Sequence, residues 1–389
     1  MIQRILGSKI KEQLKKFPVV AITGPRQSGK TTLAKNITRN YRYYNLEDIN
    51  IKTLALNDPV GFISSIDGPA IIDEIQKVPE LLSQIQVVVD DSKQNGQFIV
   101  TGSESLLLSS KISQSLAGRV ANNTLLPLSY QELKAAKMNQ SNSQAQILKG
   151  FYPRIYDTAL TSEDFYPEYI STYVERDVRQ LQNIGDLSLF EKFLQLLAGR
   201  VGQLLNYTSF SNDLGISRST VENWISLLEA SYIIYTLPPF YANLGKRLTK
   251  SPKIFFYDTG VLTNLLGIRT EKELVTHFAY GGIFENLVIS EFMKHIYNKK
   301  LRVKTFFYRD SNGTEVDLIL DTGIKTIGIE IKAAKTFNKA FLAGIKVFTK
   351  SYKGDFSGYV IYDGDQVMDF GDIKLQNLEG LTEIFESLN

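Results

Sequence analysis

The chain has 389 residues, 43% of them hydrophobic and 22% charged, with a formal net charge of +3. That is ordinary globular composition with room for two or three domains, and so small a charge does not by itself declare a polyanion partner. There is no cysteine and there are two histidines, His277 and His295, which excludes disulfides and zinc–thiolate sites and argues against histidine-rich metal centres.

The opening "MIQRILGSKIKEQLKKF" reads as an amphipathic basic helix with Ile2, Ile5, Leu6, Ile10 and Leu14 on one face. It lacks the apolar core and small-residue cleavage site of a secretion signal, and no run reaches the ~18–20 apolar residues of a membrane helix. A cytoplasmic protein with no membrane partner is the expectation. Apolar runs such as "FPVVAITG", "PAIIDE" and "QFIVTGS" then alternate with helical ones, which predicts a parallel sheet covered on both faces, over residues 1–140. The polar "KMNQSNSQAQ" reads as a linker.

Inside the first region, "VVAITGPRQSGKTT" holds Gly24, Gly29, Lys30 and Thr31 in the spacing of a phosphate-binding loop, after a strand and at the start of a helix. The backbone from Gly24 through Pro25, Arg26, Gln27, Ser28 and Gly29 can curl around a triphosphate at a helix N-terminus. Lys30 then reaches the outer phosphates, the Thr31 hydroxyl ligates Mg²⁺, and Thr32 continues the ATP site. "AIIDE" ends a strand in Asp73, expected in the Mg²⁺ shell, and Glu74, expected to orient or deprotonate the attacking water. Thr101 or Ser103, ending a third strand, is a candidate sensor of the γ-phosphate; turn chemistry explains the same residues.

Residues 151–270 read as mainly helical. "FSNDLGISRSTVENWISLLEASYII" has helix-turn-helix spacing, with Ser217 as cap and Val221, Trp224, Ile225 and Leu228 as the packed face of the second helix. The following "YIIYTLPPFYANLGKRLTKSPKIFFYD" resembles the two-stranded wing of a winged helix, with Lys246, Arg247, Lys250 and Lys253 at its tip. Arg218, Ser219, Glu222 and Asn223 would then face a DNA groove. Against this, residues 151–250 carry slightly more acidic than basic side chains, and winged helices also serve as protein-contact modules.

Residues 280–389 read as a second α/β unit. Glu285 lies on a helix, Asp317 and Glu330 on strands joined by the "DTG" turn, and Lys332 shares a strand face with Glu330. Asp317 and Glu330 could share a Mg²⁺, with Lys332 acting on water or phosphate and Glu285 completing the site; the alternative is a plain Glu330–Lys332 ion pair.

"GPRQSGKTTL", "IIDEIQKVPEL", "FIVTGSESLLL" and "SLAGRV", with "GGIFENLVISE", "TEVDLIL" and "IEIKAA" in the tail, resemble the prokaryotic AAA+ P-loop ATPases that carry a C-terminal DUF4143-type region. The tail constellation resembles the PD-(D/E)xK nuclease superfamily. The resemblance implies a P-loop NTPase parallel-sheet core, a winged-helix middle and a restriction-endonuclease-like α/β tail. It implies ATP and Mg²⁺ as cofactors, and an Arg119 that reaches a neighbouring subunit's nucleotide. The expected function is ATP hydrolysis acting on nucleic acid. The alternatives are an NTP-dependent switch binding a protein partner, with an inactive tail, and an ATP-regulated metal-dependent nuclease. A homo-oligomer is a further expectation.

Overall fold

The structure, a computed structural model, describes residues 2–103, 112, 115–172, 187–240, 251–310 and 312–388. The first region is a five-stranded, wholly parallel sheet in the order β2-β3-β4-β1-β5. Its strands are β1 (Val19–Thr23), β2 (Arg42–Asn45), β3 (Ala70–Asp73), β4 (Phe98–Gly102) and β5 (Val120–Thr124). β1, β3 and β4 are buried along their whole length, which is why they read as unbroken apolar runs.

Alternation along β1 sends Val20 and Ile22 to one face and Val19 and Ala21 to the other. Val20 and Ile22 join a core with Leu6 and Ile10 of α1 (Leu6–Leu14) and Leu33 of α2 (Lys30–Ile37). Val19 and Ala21 join a core with Leu81 and Ile85 of a later helix and Phe62 of another. On that second side lie α3 (Ile49–Asn57), capped by Asp48, α4 (Pro59–Ser64), capped by Asp58 with proline in its first turn, and α5 (Leu81–Ser92).

The capping box of Ser129 and Glu132 starts α6 (Tyr130–Ala135). The segment read as a linker is different from that expectation: Asn142 caps α7 (Ser143–Lys149) and Gln146 is fully buried. Its polarity serves internal bonds. Gln146 Nε2 donates to the Tyr156 hydroxyl at 2.8 Å, and Gln144 Nε2 donates to that of Tyr280 at 2.6 Å.

In the middle, α8 (Leu187–Gly199), α9 (Tyr207–Leu214) and α10 (Arg218–Ala230) precede the antiparallel pair β6 (Ile234–Leu237) and β7 (Lys253–Phe256). α9 ends on Gly215 in the left-handed region (φ 66°), and Ser217 accepts from the Thr220 amide to cap α10. Trp224, the one tryptophan, is edge-on to Phe190 with centroids 5.2 Å apart and leans on Phe193 at the same distance.

The tail opens with α11 (Tyr280–Lys299). A six-stranded sheet follows in the order β12-β13-β11-β10-β9-β8, built from β8 (Lys304–Arg309), β9 (Glu315–Asp321), β10 (Thr326–Lys332), β11 (Phe356–Tyr362), β12 (Met368–Asp369) and β13 (Ile373–Gln376). β8, β9 and β10 are antiparallel neighbours, and β10, β11 and β13 are parallel. α12 (Ala343–Ser351) and α13 (Leu381–Glu386) complete it. One apolar core runs without a break from Leu126 through Phe210, Trp224 and Phe284 to Leu388.

Candidate functional site

The loop after β1 is shaped by three backbone positions in the left-handed half of φ: Gly24 (142°), Gln27 (60°) and Gly29 (93°). A Cβ on Gly24 would stand 2.2 Å from the Leu125 carbonyl oxygen, so no larger residue fits there. Pro25 and Ser28 are buried, Arg26 is half-buried, and Gln27 and Thr32 are exposed. The Lys30 ammonium donates to the Gly24 and Pro25 carbonyls at 3.0 and 2.9 Å, bridging the loop it belongs to. Burial is the main influence on it; Asp73 and Glu74 oppose that only in part, and its pKa falls to about 8.

The acids meet this loop across the sheet. The Thr31 hydroxyl donates to Asp73 Oδ2 at 2.8 Å, and the Tyr43 hydroxyl donates to the same oxygen at 2.7 Å. The Thr101 hydroxyl donates to Asp73 Oδ1 and accepts from the Glu74 amide at 3.3 Å. Thr101 is fully buried near the end of β4, where it braces both acids. Glu74 itself is left-handed (φ 57°), a strained backbone of the kind that clusters at working sites. Its carboxylate accepts from the Gln76 amide and from the Ser103 hydroxyl, the latter at 3.3 Å. Thr31 and Asp73 are hard oxygen donors already in contact, and they fit a Mg²⁺ ion.

Sequence reasoning missed the residue that braces the loop from behind. Arg4 is buried, and its guanidinium donates to the Ser28 carbonyl at 2.6 Å, to the Leu126 carbonyl at 2.6 Å and to Glu132 at 3.1 Å. Beside it lies a cavity of 380 Å³, lined among others by Ile2, Gln3, Gly7, Thr32, Leu33 and Pro153. Tyr232, also missed and also left-handed (φ 56°), shares a hydrogen bond of 3.0 Å with the hydroxyl of Thr23, the last residue before the loop. Arg119 is not brought to the loop. Its carbonyl accepts from the Val19 amide at the opposite, amino-terminal end of β1, and its guanidinium pairs with Asp90 of α5.

On α10, Arg218, Ser219 and Asn223 are exposed, and Arg218 pairs with Glu222 at 2.8 Å. Lys246, Arg247 and Lys250 lie outside the described residues. Lys253 does not sit on a wing tip as expected. It is buried at the start of β7, facing the acids of the tail.

Glu285, Asp317, Glu330 and Lys332 do converge, around a pocket of 570 Å³ that Lys253, Arg309 and Glu315 also line. Lys332 pairs with Glu330 at 2.6 Å and approaches Asp317 Oδ2 at 3.7 Å. Lys253 pairs with Glu285 at 2.9 Å and with Glu315, and approaches Asp317 Oδ1 at 3.8 Å. Asp317 Oδ2 also accepts from the Ile331 amide at 2.7 Å. Burial raises the pKa of Glu285 and of Glu330 to about 8, against the pull of Lys253 and Lys332 respectively. Burial alone would lower the Lys253 ammonium, but Glu285, Asp317 and Glu315 outweigh it and hold it above the ordinary lysine value.

Asp317 and Glu330, expected to share a divalent ion, are each in contact with an ammonium group. Both oxygens of Asp317 face ammonium groups. Among the described residues no set of three or more His, Asp or Glu side chains is arranged to hold a metal.

Three family models match in succession: an AAA domain over residues 16–134, a domain of unknown function (DUF8612) over 140–272 and a domain of unknown function (DUF4143) over 280–381. An uncharacterized protein of Mycobacterium tuberculosis is 30% identical over 338 residues, spanning 86% of this chain and 74% of its own length. One of Methanocaldococcus jannaschii is 24% identical over 410 residues, spanning 91% and 84%. Among solved structures, a Walker-type ATPase of Pyrococcus abyssi aligns at 15% identity and a TM-score of 0.44, covering 68% of this chain and 95% of that one.

Proposed function

Because the chain belongs to the family of AAA-domain P-loop ATPases with a C-terminal DUF4143 region, we propose that it binds ATP with Mg²⁺, hydrolyses it, and uses the cycle to act on DNA through α10. The observation that carries the reading is the contact of Thr31 with Asp73, with Glu74 next in the chain and Lys30 in the same loop. In this reading Lys30 leaves its two carbonyls for the outer phosphates, and the backbone of residues 24–29 surrounds them. Thr31 and Asp73 hold the Mg²⁺, which neutralises charge on the phosphates when bound. Glu74, steadied by Gln76 and Ser103, takes the proton of the attacking water. The cavity beside Arg4 receives the base and sugar, since it opens between the N-terminal segment and the first turns of α2.

The test is Mg²⁺-dependent ATP turnover by the purified full chain, alone and with single-stranded, duplex and branched DNA. Lys30→Ala is expected to lose nucleotide binding, while Glu74→Gln keeps it and turns over at least about 100-fold more slowly. No turnover under any of these conditions would remove hydrolysis from the reading. A second reading, a nucleotide-driven switch that grips a protein partner, is favoured by the Arg218–Glu222 pair, which cancels charge on the exposed face of α10. Turnover indifferent to every DNA would select it.

A further inference from the structure

Lys253 is delivered by a strand anchored on both edges. β7 pairs with β6 along its length, and on the other side the Leu205 amide donates to the Pro252 carbonyl at 2.7 Å and the Gly202 amide to that of Ile254 at 2.9 Å. So fixed, the side chain leaves the middle region and ends among carboxylates of α11 and β9, at 4% exposure. It is thus no surface lysine bending onto a nearby acid. Three carboxylates from two elements surround one ammonium, so oxygens of the kind a hard divalent cation needs are already turned onto Lys253. Asp317, which would have to hold such a metal, already has Lys253 at one oxygen and Lys332 at the other, and a cation added there would meet like charges in a buried pocket. One oxygen of Glu330 is buried without a hydrogen-bond partner, so the two ammonium groups do not saturate the carboxylates of the pocket.

We propose that Lys253 is the resident cation of the tail's acidic pocket, standing where a divalent metal would bind, so that the pocket is a closed ionic joint between middle and tail and not a metal centre. The inference is independent of ATP hydrolysis, because none of these residues touches the phosphate loop.

The test is Mn²⁺ binding followed by electron paramagnetic resonance, on the nucleotide-free full chain carrying Asp73→Asn so that the ATPase site takes no ion. With Lys253 present, no ion is expected in the tail at millimolar Mn²⁺. Adding Lys253→Met is expected to create one site, at least about tenfold tighter than any binding before it, and Asp317→Asn is expected to remove that site. Should Lys253→Met fail to fold, Lys253→Gln is read in the same way, and folding restored by Mn²⁺ counts as support. The proposal is overturned if the protein with Lys253 already binds an ion that Asp317→Asn displaces. It is equally overturned if a folded Lys253 variant gains no site.

Discussion

Lys30 donates to two carbonyls of its own loop, and burial leaves its pKa near 8. Phosphate oxygens favour the charged form, so ATP binding should draw a proton onto Lys30 where the free side chain is partly neutral. Isothermal titration in buffers of different ionisation enthalpy is expected to show proton uptake that is small at pH 7 and grows above pH 8. Lys30→Arg, which does not titrate in this range, should abolish that uptake. The sign for folding follows from the same shift. Between about 8 and the ordinary 10.5 the unfolded chain holds more protons, so the empty protein gains stability as pH rises through that interval. The loop residues were legible in the sequence because a phosphate cradle demands glycines, lysine and threonine at fixed offsets. Arg4, Tyr232 and Lys253 were not, because their partners lie 24 to 209 residues away and no local pattern announces them.

Among elements, the helix-turn-helix was readable from its periodicity and its Ser217 cap, and the β9–β10 hairpin from the spacing of Asp317 and Glu330 around a short turn. α7 was misread because polarity was equated with exposure, whereas Gln144 and Gln146 satisfy buried partners. The DNA reading of α10 makes a prediction at this scale. Removing Arg218, which is exposed at the first turn, should weaken DNA binding and lower the slope of log affinity against log salt by about 1. Basal ATP turnover should not change, since the residue lies away from the phosphate loop. Fluorescence anisotropy from 50 to 200 mM salt reads both quantities; an unchanged slope would point α10 toward a protein partner.

At the scale of the molecule, three family models divide a chain whose middle and tail share one core. Phe284, Leu287, Val288 and Phe292 of α11 belong to that core, so the tail cannot be detached without exposing them. We expect residues 280–389 expressed alone to aggregate, and the full chain to unfold in calorimetry with middle and tail in a single transition. A separate transition for the tail would show that its share of the core is dispensable.

The lone tryptophan adds something the architecture does not advertise. Trp224, on the helix that would lie on DNA, packs against Phe190 and Phe193 of α8, and no other indole competes with it. Every photon emitted by indole therefore comes from one known place, and the natural chain is already a single-site optical gauge of how its middle responds when ATP occupies a loop in a different domain.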